Sequence, residues 1–236
     1  MANPLIHAKS SVKRFGGSIQ DYMSIHELID SPKTTMNNNT SRVITHQDWF
    51  AETIIPKIYG KTIINQDNVK IDTTDIAILH ILEDFRMKFI PTIQDYFVGD
   101  TIDILDDNNP TLTNSAVVRW GGKMADYMPY YNLLNSLNKE HKYSRLVMLN
   151  TWFAYTIMPK IFEYNVTNSV GKSIDIVDLT MLFISNQFQN KFVPTPQDYL
   201  KNVSVKQFMC NGVKLVDNQN AIDKAELFLE NLKNKY

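Results

Sequence analysis

One cysteine, Cys210, among 236 residues leaves no partner for an internal disulfide and no ligand set for a cysteine-based zinc finger. That scarcity fits a reducing compartment. No apolar run approaches the roughly 20 residues that a membrane helix needs, so no membrane span is expected. Met1-Ala2-Asn3-Pro4 carries neither the basic nor the hydrophobic block of a secretory signal. Neither sign of charge dominates, since 24 Lys and Arg stand against 25 Asp and Glu, so no global field draws nucleic acid. Among catalytic signatures there is no P-loop, because Gly121-Gly122-Lys123 lacks both the upstream glycine spacing and a following hydroxyl. The chain also lacks a GxSxG elbow, a HExxH helix and an adjacent His-Asp pair. Cys210 has no histidine in its own segment and reads as a plain hairpin cysteine.

What the chain does have is a repeat. Residues 49–58 read WFAETIIPKI and residues 152–161 read WFAYTIMPKI. Around that anchor FGGSIQDYM (15–23) matches WGGKMADYM (120–128), and FIPTIQDYF (89–97) matches FVPTPQDYL (192–200). The offset is 105 residues early and 103 later, and one two-residue deletion before Arg145 reconciles them. Roughly a third of the aligned positions are identical, in the same order, which marks a tandem duplication.

Within one copy the periodicity is mainly helical. Leu5, Ala8, Val12 and Phe15 recur at helical spacing, and Gly16-Gly17 end that segment. Tyr22 to Asp30 reads as a second short helix. Ser41 to Tyr59 reads as the longest, with Val43, Phe50, Ile54 and Ile58 on its core stripe and Pro56 bending it near its end. Residues 61–71 read as a small hairpin around Gln66-Asp67-Asn68. Thr74 is expected to cap a helix running to about Met87, and Thr92 a last short one, since a hydroxyl accepts from the free amides of a first turn. Past the second copy, Cys210-Asn211-Gly212 signals another hairpin. Asn218 to Asn234, with Ala221, Ala225, Leu227, Leu229 and Leu232 among Glu and Lys, reads as an amphipathic closing helix. The expected fold class is therefore mainly α, with one small β-hairpin per module. The expected organisation is a first module at 1–98, a linker at 99–108, a second module at 109–201, and a C-terminal hairpin and helix at 202–236.

A duplicated chain carries its own comparison. Positions kept in both copies serve what both share, most economically the fold: Gly16-Gly17, Asp21-Tyr22, Arg42, Trp49, Pro56, Asp75, Pro91-Thr92 and Asp95-Tyr96. The positions that differ follow a chemical pattern. His7 aligns with Leu112, His26 with Tyr131, His46 with Leu149 and His80 with Phe183. Asp30 becomes Asn135, Glu83 becomes Asn186 and Asp84 becomes Gln187. Replacement of four histidines by apolar or aromatic residues points inward, because a solvent-facing His drifts more naturally to a polar residue. Buried imidazoles and acids need partners, at a cost of roughly 2 kcal/mol or more for each left alone. Helical spacing favours convergence, since His26 and Asp30 are four apart and His80 lies three from Glu83 and four from Asp84. Imidazole with carboxylate is the ligand set of Zn²⁺, Mn²⁺ or non-haem Fe²⁺. The expected metal ligands are His26, Asp30, His46 and His80, with His7 standing apart on the first helix. Glu83 and Asp84 are the candidate catalytic acids. The bland alternative is a buried hydrogen-bond network with no ion. Lys33 and Glu52 also differ between copies and read as outer neighbours of the cluster or as surface.

The same residues carry a family resemblance. The series His7-Ala8, Ser10, Gly16-Gly17, Asp21-Tyr22, Ile25-His26, Asp30, Lys33, Arg42, His46, Gly60, His80, Glu83-Asp84, Ile90-Pro91-Thr92 and Asp95-Tyr96 resembles a domain of unknown function. That domain is found in bacteriophages and bacteria as a short stand-alone protein of about one module. The chain departs from its pattern at Ser41, where the family tends to have His, and at Arg86-Met87, where it has Gly. The resemblance implies a phage origin and a polar His/acid cluster, and it implies no chemistry. The abundance of Asn, Ile and Lys agrees with a low-GC viral genome.

Two functional expectations follow. In one, the first module is a metal-binding unit of a phage protein, with metal-dependent hydrolysis as its candidate activity. In the other, the chain is a non-enzymatic virion component or a protein that engages a host factor, and the cluster is structural. Either places it in the host cytoplasm or the virion, with a protein partner or a second copy as the expected contact rather than membrane or nucleic acid.

Overall fold

A computed structural model describes residues 3–36, 39–97, 112–136, 144–200 and 218–236. The linker, His141 and the hairpin expected around Cys210 lie outside the described residues. The chain divides into two compact units, residues 1–98 with 205–236, and residues 99–204. Both are mainly α with a small hairpin.

In the first unit, α1 (Pro4–Phe15) starts at Asn3, whose side chain accepts from the Leu5 amide, and stops at Gly16, where φ is 77°. Helix α2 (Ile19–Asp30) begins with the Ser18 amide donating to Asp21 at 2.6 Å. The long helix expected from Ser41 to Tyr59 is broken. Helix α3 covers only Arg42–Thr45, and His46 leaves helical geometry at φ −90°, ψ 56°. Tertiary hydrogen bonds replace the helical ones there: the Tyr96 hydroxyl donates to the His46 carbonyl, and the Asp48 amide donates to Pro91 O at 2.9 Å. The chain resumes through a π turn, Phe50–Ile54, into α4 (Ile55–Tyr59). Pro56 has no N–H to give, and the wider turn, closed by the Ile55 amide on Phe50 O, absorbs that missing bond. The expected hairpin forms from β1 (Thr62–Ile64) and β2 (Lys70–Asp72), antiparallel with Ile63 opposite Ile71. Helix α5 (Thr73–Asp84) is capped by Asp72 rather than Thr74, because Asp72 ends β2 in extended geometry and accepts from the Thr74 amide at 2.9 Å. Thr92 does cap the next turn, a 3-10 turn at Ile93–Tyr96. Ile25, Ile29, Ile44, Ile54 and Ile76 fill the core at 0–1% exposure.

The second unit repeats the order: α6 (Leu112–Trp120), α7 (Met124–Leu134), α8 (Ser144–Met148), a π turn at Phe153–Ile157 and α9 (Met158–Phe162). Strands β3 (Asn165–Thr167) and β4 (Ser173–Asp175), α10 (Ile176–Gln187) and α11 (Pro196–Leu200) complete it. Glu163 carries backbone strain. Gly60 sits at φ 82°, ψ 166°, and its counterpart Glu163 adopts φ 66°, ψ 171°, a region that side chains avoid. Glu163→Gly is expected to stabilise the protein by about 1 kcal/mol net of the added chain entropy, which thermal denaturation would read as a rise of about 2–4 °C.

Helix α12 (Gln219–Lys235) follows the second copy in sequence but belongs to the first unit. Ala221, Ala225 and Leu232 are buried, and the Ile90 amide donates to Ala221 O at 3.0 Å. Lys224 pairs with Asp48 and Glu52 at 3.0 and 2.7 Å, and Lys235 with Asp75 at 2.6 Å. Leu227, expected on the apolar stripe, is 59% exposed because the packed face is set by the alanines.

Candidate metal centre

Four elements of the first unit converge. Helix α1 brings His7, Ser10 and Ser11; α2 brings His26 and Asp30; the break after α3 brings His46; α5 brings His80, Glu83 and Asp84. His7, His26, His46, His80, Asp30 and Asp84 are all buried. One ligand atom from each of Asp30, His46, His80 and Asp84 lies within 4.8 Å of the others, a group that could hold a metal ion.

Four of the separations among these atoms match those that an ion sets. His46 Nε2 stands 3.1 Å from Asp84 Oδ2, 3.3 Å from His80 Nε2 and 3.6 Å from Asp30 Oδ1. His80 Nε2 is 3.5 Å from the same Asp30 oxygen. A tetrahedral ion with ligands at about 2.1 Å separates neighbouring ligand atoms by about 3.4 Å.

Proton placement sharpens the case. The Thr45 hydroxyl donates to Ile29 O at 2.6 Å, so toward His46 Nδ1, 3.0 Å away, it can only accept. The His46 proton then sits on Nδ1 and leaves Nε2 bare, facing two carboxylates. Protonating both nitrogens would relieve the clash, but burial, ahead of any neighbouring charge, lowers the His46 pKa. His80 is pushed down to about 3, again mainly by burial. Lone pairs therefore face one another across the group, and Asp30 Oδ2 beside it has no hydrogen-bond partner.

The remaining residues stand around these four. His26 is behind His80: its Nδ1 lies 2.9 Å from His80 Nδ1, and its Nε2 lies 2.9 Å from Ser11 Oγ. Burial first, then the charges of His80 and His7, push it down to about 2. A His26 that donates from Nε2 to Ser11 and accepts from His80 Nδ1–H leaves His80 Nε2 bare, the orientation by which a metal-bound imidazole is usually held. His7 stacks on His80 at 3.9 Å between ring centres. Its Nδ1 is 2.6 Å from Glu83 Oε2, and its Nε2 is 3.5 Å from Asp84 Oδ1, a charge contact rather than a hydrogen bond. Burial alone would lower its pKa, but Asp84 and Glu83, one facing each ring nitrogen, raise it to about 9. Glu83, which also accepts from Ser10, faces α1, while Asp84 turns to His46. Arg42 Nη2 donates to Asp84 at 2.7 Å, and Lys33 is paired with Asp30. Burial works to raise both aspartates, yet the histidines, with Lys33 on Asp30 and Arg42 on Asp84, hold them well below the usual carboxylate range. Glu52 lies outside the cluster, paired with Lys224.

Ser11 and Thr45 escaped the sequence reading, and Arg42 entered it only as a position kept in both copies and in the resemblance series, with no place in the cluster. Two of them had left the same trace as the histidines, because Ser11 aligns with Ala116 and Thr45 with Met148. Arg42 left none, being matched by Arg145. In the second unit the place of the cluster is apolar: Tyr131 and Phe183 meet edge to face at 6.0 Å, and Leu149 is buried. Asn186 keeps the link to α6, donating to Ser115.

Among the described residues no helix is long and apolar enough to cross a membrane. Searches of curated proteins and of solved structures gave no match. The model of a Domain of unknown function (DUF6915) matches residues 2–103 and again residues 109–209. With both copies matched, over most of its length, the chain belongs to the DUF6915 family.

Proposed function

We propose that the first module of this protein binds one divalent ion, Zn²⁺, Mn²⁺ or Fe²⁺, through Asp30, His46, His80 and Asp84, with His26 and Thr45 orienting the imidazoles. The carrying observation is the bare His46 Nε2 set 3.1–3.6 Å from a second imidazole nitrogen and two carboxylate oxygens. The second module, with its apolar replacement, would bind none. The protein is read as phage-encoded on the strength of the residues that carry the resemblance, and its site is read as serving either of two roles. All four ligands are 7% exposed or less, which favours an ion that holds the fold of a non-enzymatic virion or host-factor-binding protein. Glu83, whose side chain reaches solvent at 20% and holds the His7 that stacks on His80, favours metal-dependent hydrolysis with this acid as its catalytic group.

Metal analysis of the purified chain tests the reading. One equivalent of zinc, manganese or iron is expected, lost in the His46→Ala, His80→Ala double variant and kept in a Tyr131→Ala variant of the second module. A chain that takes up no ion from any of the three salts refutes it. If the metal-loaded protein hydrolyses a nitrophenyl ester or phosphodiester and Glu83→Gln stops it, the role is hydrolytic; a loaded protein without turnover has the structural role.

A further inference from the structure

The two units present the same surface once covered and once open. In the first unit α12 lies against Ile90, whose amide it binds, and against Asp48, Glu52, Asp72 and Asp75, which its lysines and Tyr236 engage. Tyr236 also meets the ring of Phe15 edge-on at 4.9 Å. Phe89, next to Ile90, is 3% exposed, and Leu79 on α5 is 5% exposed. In the second unit Phe192, the counterpart of Phe89, is 51% exposed, and Tyr155, the counterpart of Glu52, is 62% exposed. Trp120, in the place of Phe15, and Leu182, in the place of Leu79, are only half-buried. Two acids are retained, since Asp175 and Asp178 stand where Asp72 and Asp75 receive Lys235, and both are exposed. Exposed aromatic surface bordered by acids that no cation neutralises among the described residues is the character of a docking site.

We propose that this face of the second module binds an amphipathic helix of a partner protein, in the manner in which α12 covers the first. The differences between the copies define the ligand. Asp175 and Asp178 call for a lysine or arginine near the C-terminal end of the helix, as Lys235 is on α12. Thr151 and Tyr155 replace the acids that hold Lys224, so the partner carries an apolar residue there rather than a cation. Its contact stripe is made of small residues, as Ala221 and Ala225 are, so that the helix can approach Phe192 closely. The chain's own α12 does not fill this role, being engaged on the first unit with a lysine where Tyr155 asks for an apolar group.

A labelled peptide of residues 218–236 carrying Lys224→Leu serves as the probe, titrated against the full chain by fluorescence anisotropy. Saturable binding at one site is expected, weakened at least tenfold by Phe192→Asp and by Asp178→Lys. Both positions are exposed, so neither change threatens the fold. The unmodified peptide should bind several-fold more weakly. No binding up to millimolar chain overturns the proposal. So does binding indifferent to both substitutions, which would mean that the peptide exchanges with α12 on the first unit. Self-association of the chain abolished by Phe192→Asp would assign the face to a second copy instead.

Discussion

Asp84→Ala is expected to cost the metal-free protein about 3–5 kcal/mol, the largest effect of any single substitution in the cluster. Asp84 is 7% exposed, accepts from Arg42 at 2.7 Å, and faces both His46 and His7. Its removal leaves the Arg42 guanidinium, itself 2% exposed, without its carboxylate. Asp30→Ala should cost less, because its partner Lys33 is 23% exposed and can return to water. The second copy supplies a contrasting experiment. Replacing His7, His26, Asp30, His46, His80, Glu83 and Asp84 together by the Leu, Tyr, Asn, Leu, Phe, Asn and Gln of the other copy, with Arg42→Met so that no guanidinium is left unpaired, removes the lone pairs and buried charges at once. That variant should lose its metal yet fold with metal-free stability equal to the parent's or better, as exchange of buried charges for packed apolar groups often gives. Urea denaturation in chelator reads both. An Asp84→Ala protein within 1 kcal/mol of the parent would remove Asp84 from the centre of the cluster.

In chelator the stability of the protein should pass through a maximum near pH 6.5 and fall on both sides. His26 and His80 stay neutral in the fold down to about 2 and about 3, whereas unfolded they take up protons near 6.5. As pH drops below 6.5 the unfolded state binds more protons than the native one, and stability falls. The lowered Asp30 and Asp84 extend that fall below the ordinary carboxylate value, because their stabilising ionisation is lost last in the native state. His7 has the opposite sign. Held protonated up to about 9, it contributes stability that is fully present below 6.5 and is lost as pH rises through 9. His7→Leu should therefore flatten the alkaline limb and leave the acid limb. A bound ion should stabilise further, by about 4 kcal/mol at a thousandfold excess over its dissociation constant, and should move the acid limb downward by competing with protons for His46 and His80. A urea midpoint constant from pH 5 to 9 in chelator would contradict the buried neutral imidazoles and the charged His7 alike.

The duplication made much of this legible. Repeat spacing, glycine stops and apolar periods located α1, α2, α5 and the hairpin, because these elements are fixed by local geometry. The seven positions that lost an imidazole or a carboxylate in the second copy do meet in the first unit, whereas Glu52, which also differs between the copies, is paired with Lys224 outside the cluster. Their roles within the cluster were not legible. His26 and Asp30 share a face of α2, yet His26 ends up against Ser11 and His80 rather than in the group of four. Glu83 and Asp84 are neighbours, and a rotation of about 100° along the helix sends one toward α1 and the other toward His46. The break at His46 was hidden because the Tyr96 and Pro91 groups that stabilise it come from 43–50 residues away.

By itself the sequence determined that two like helical modules follow one another, and which imidazoles and acids only the first retains. Periodicity sets the direction of a side chain around its own helix, and substitution between copies reveals what was lost in concert. Only the tertiary structure decided which of those groups point at one spot and which stand behind, because the crossing of α1, α2 and α5 and the departure of His46 from its helix depend on packing between distant segments, which no local spacing encodes.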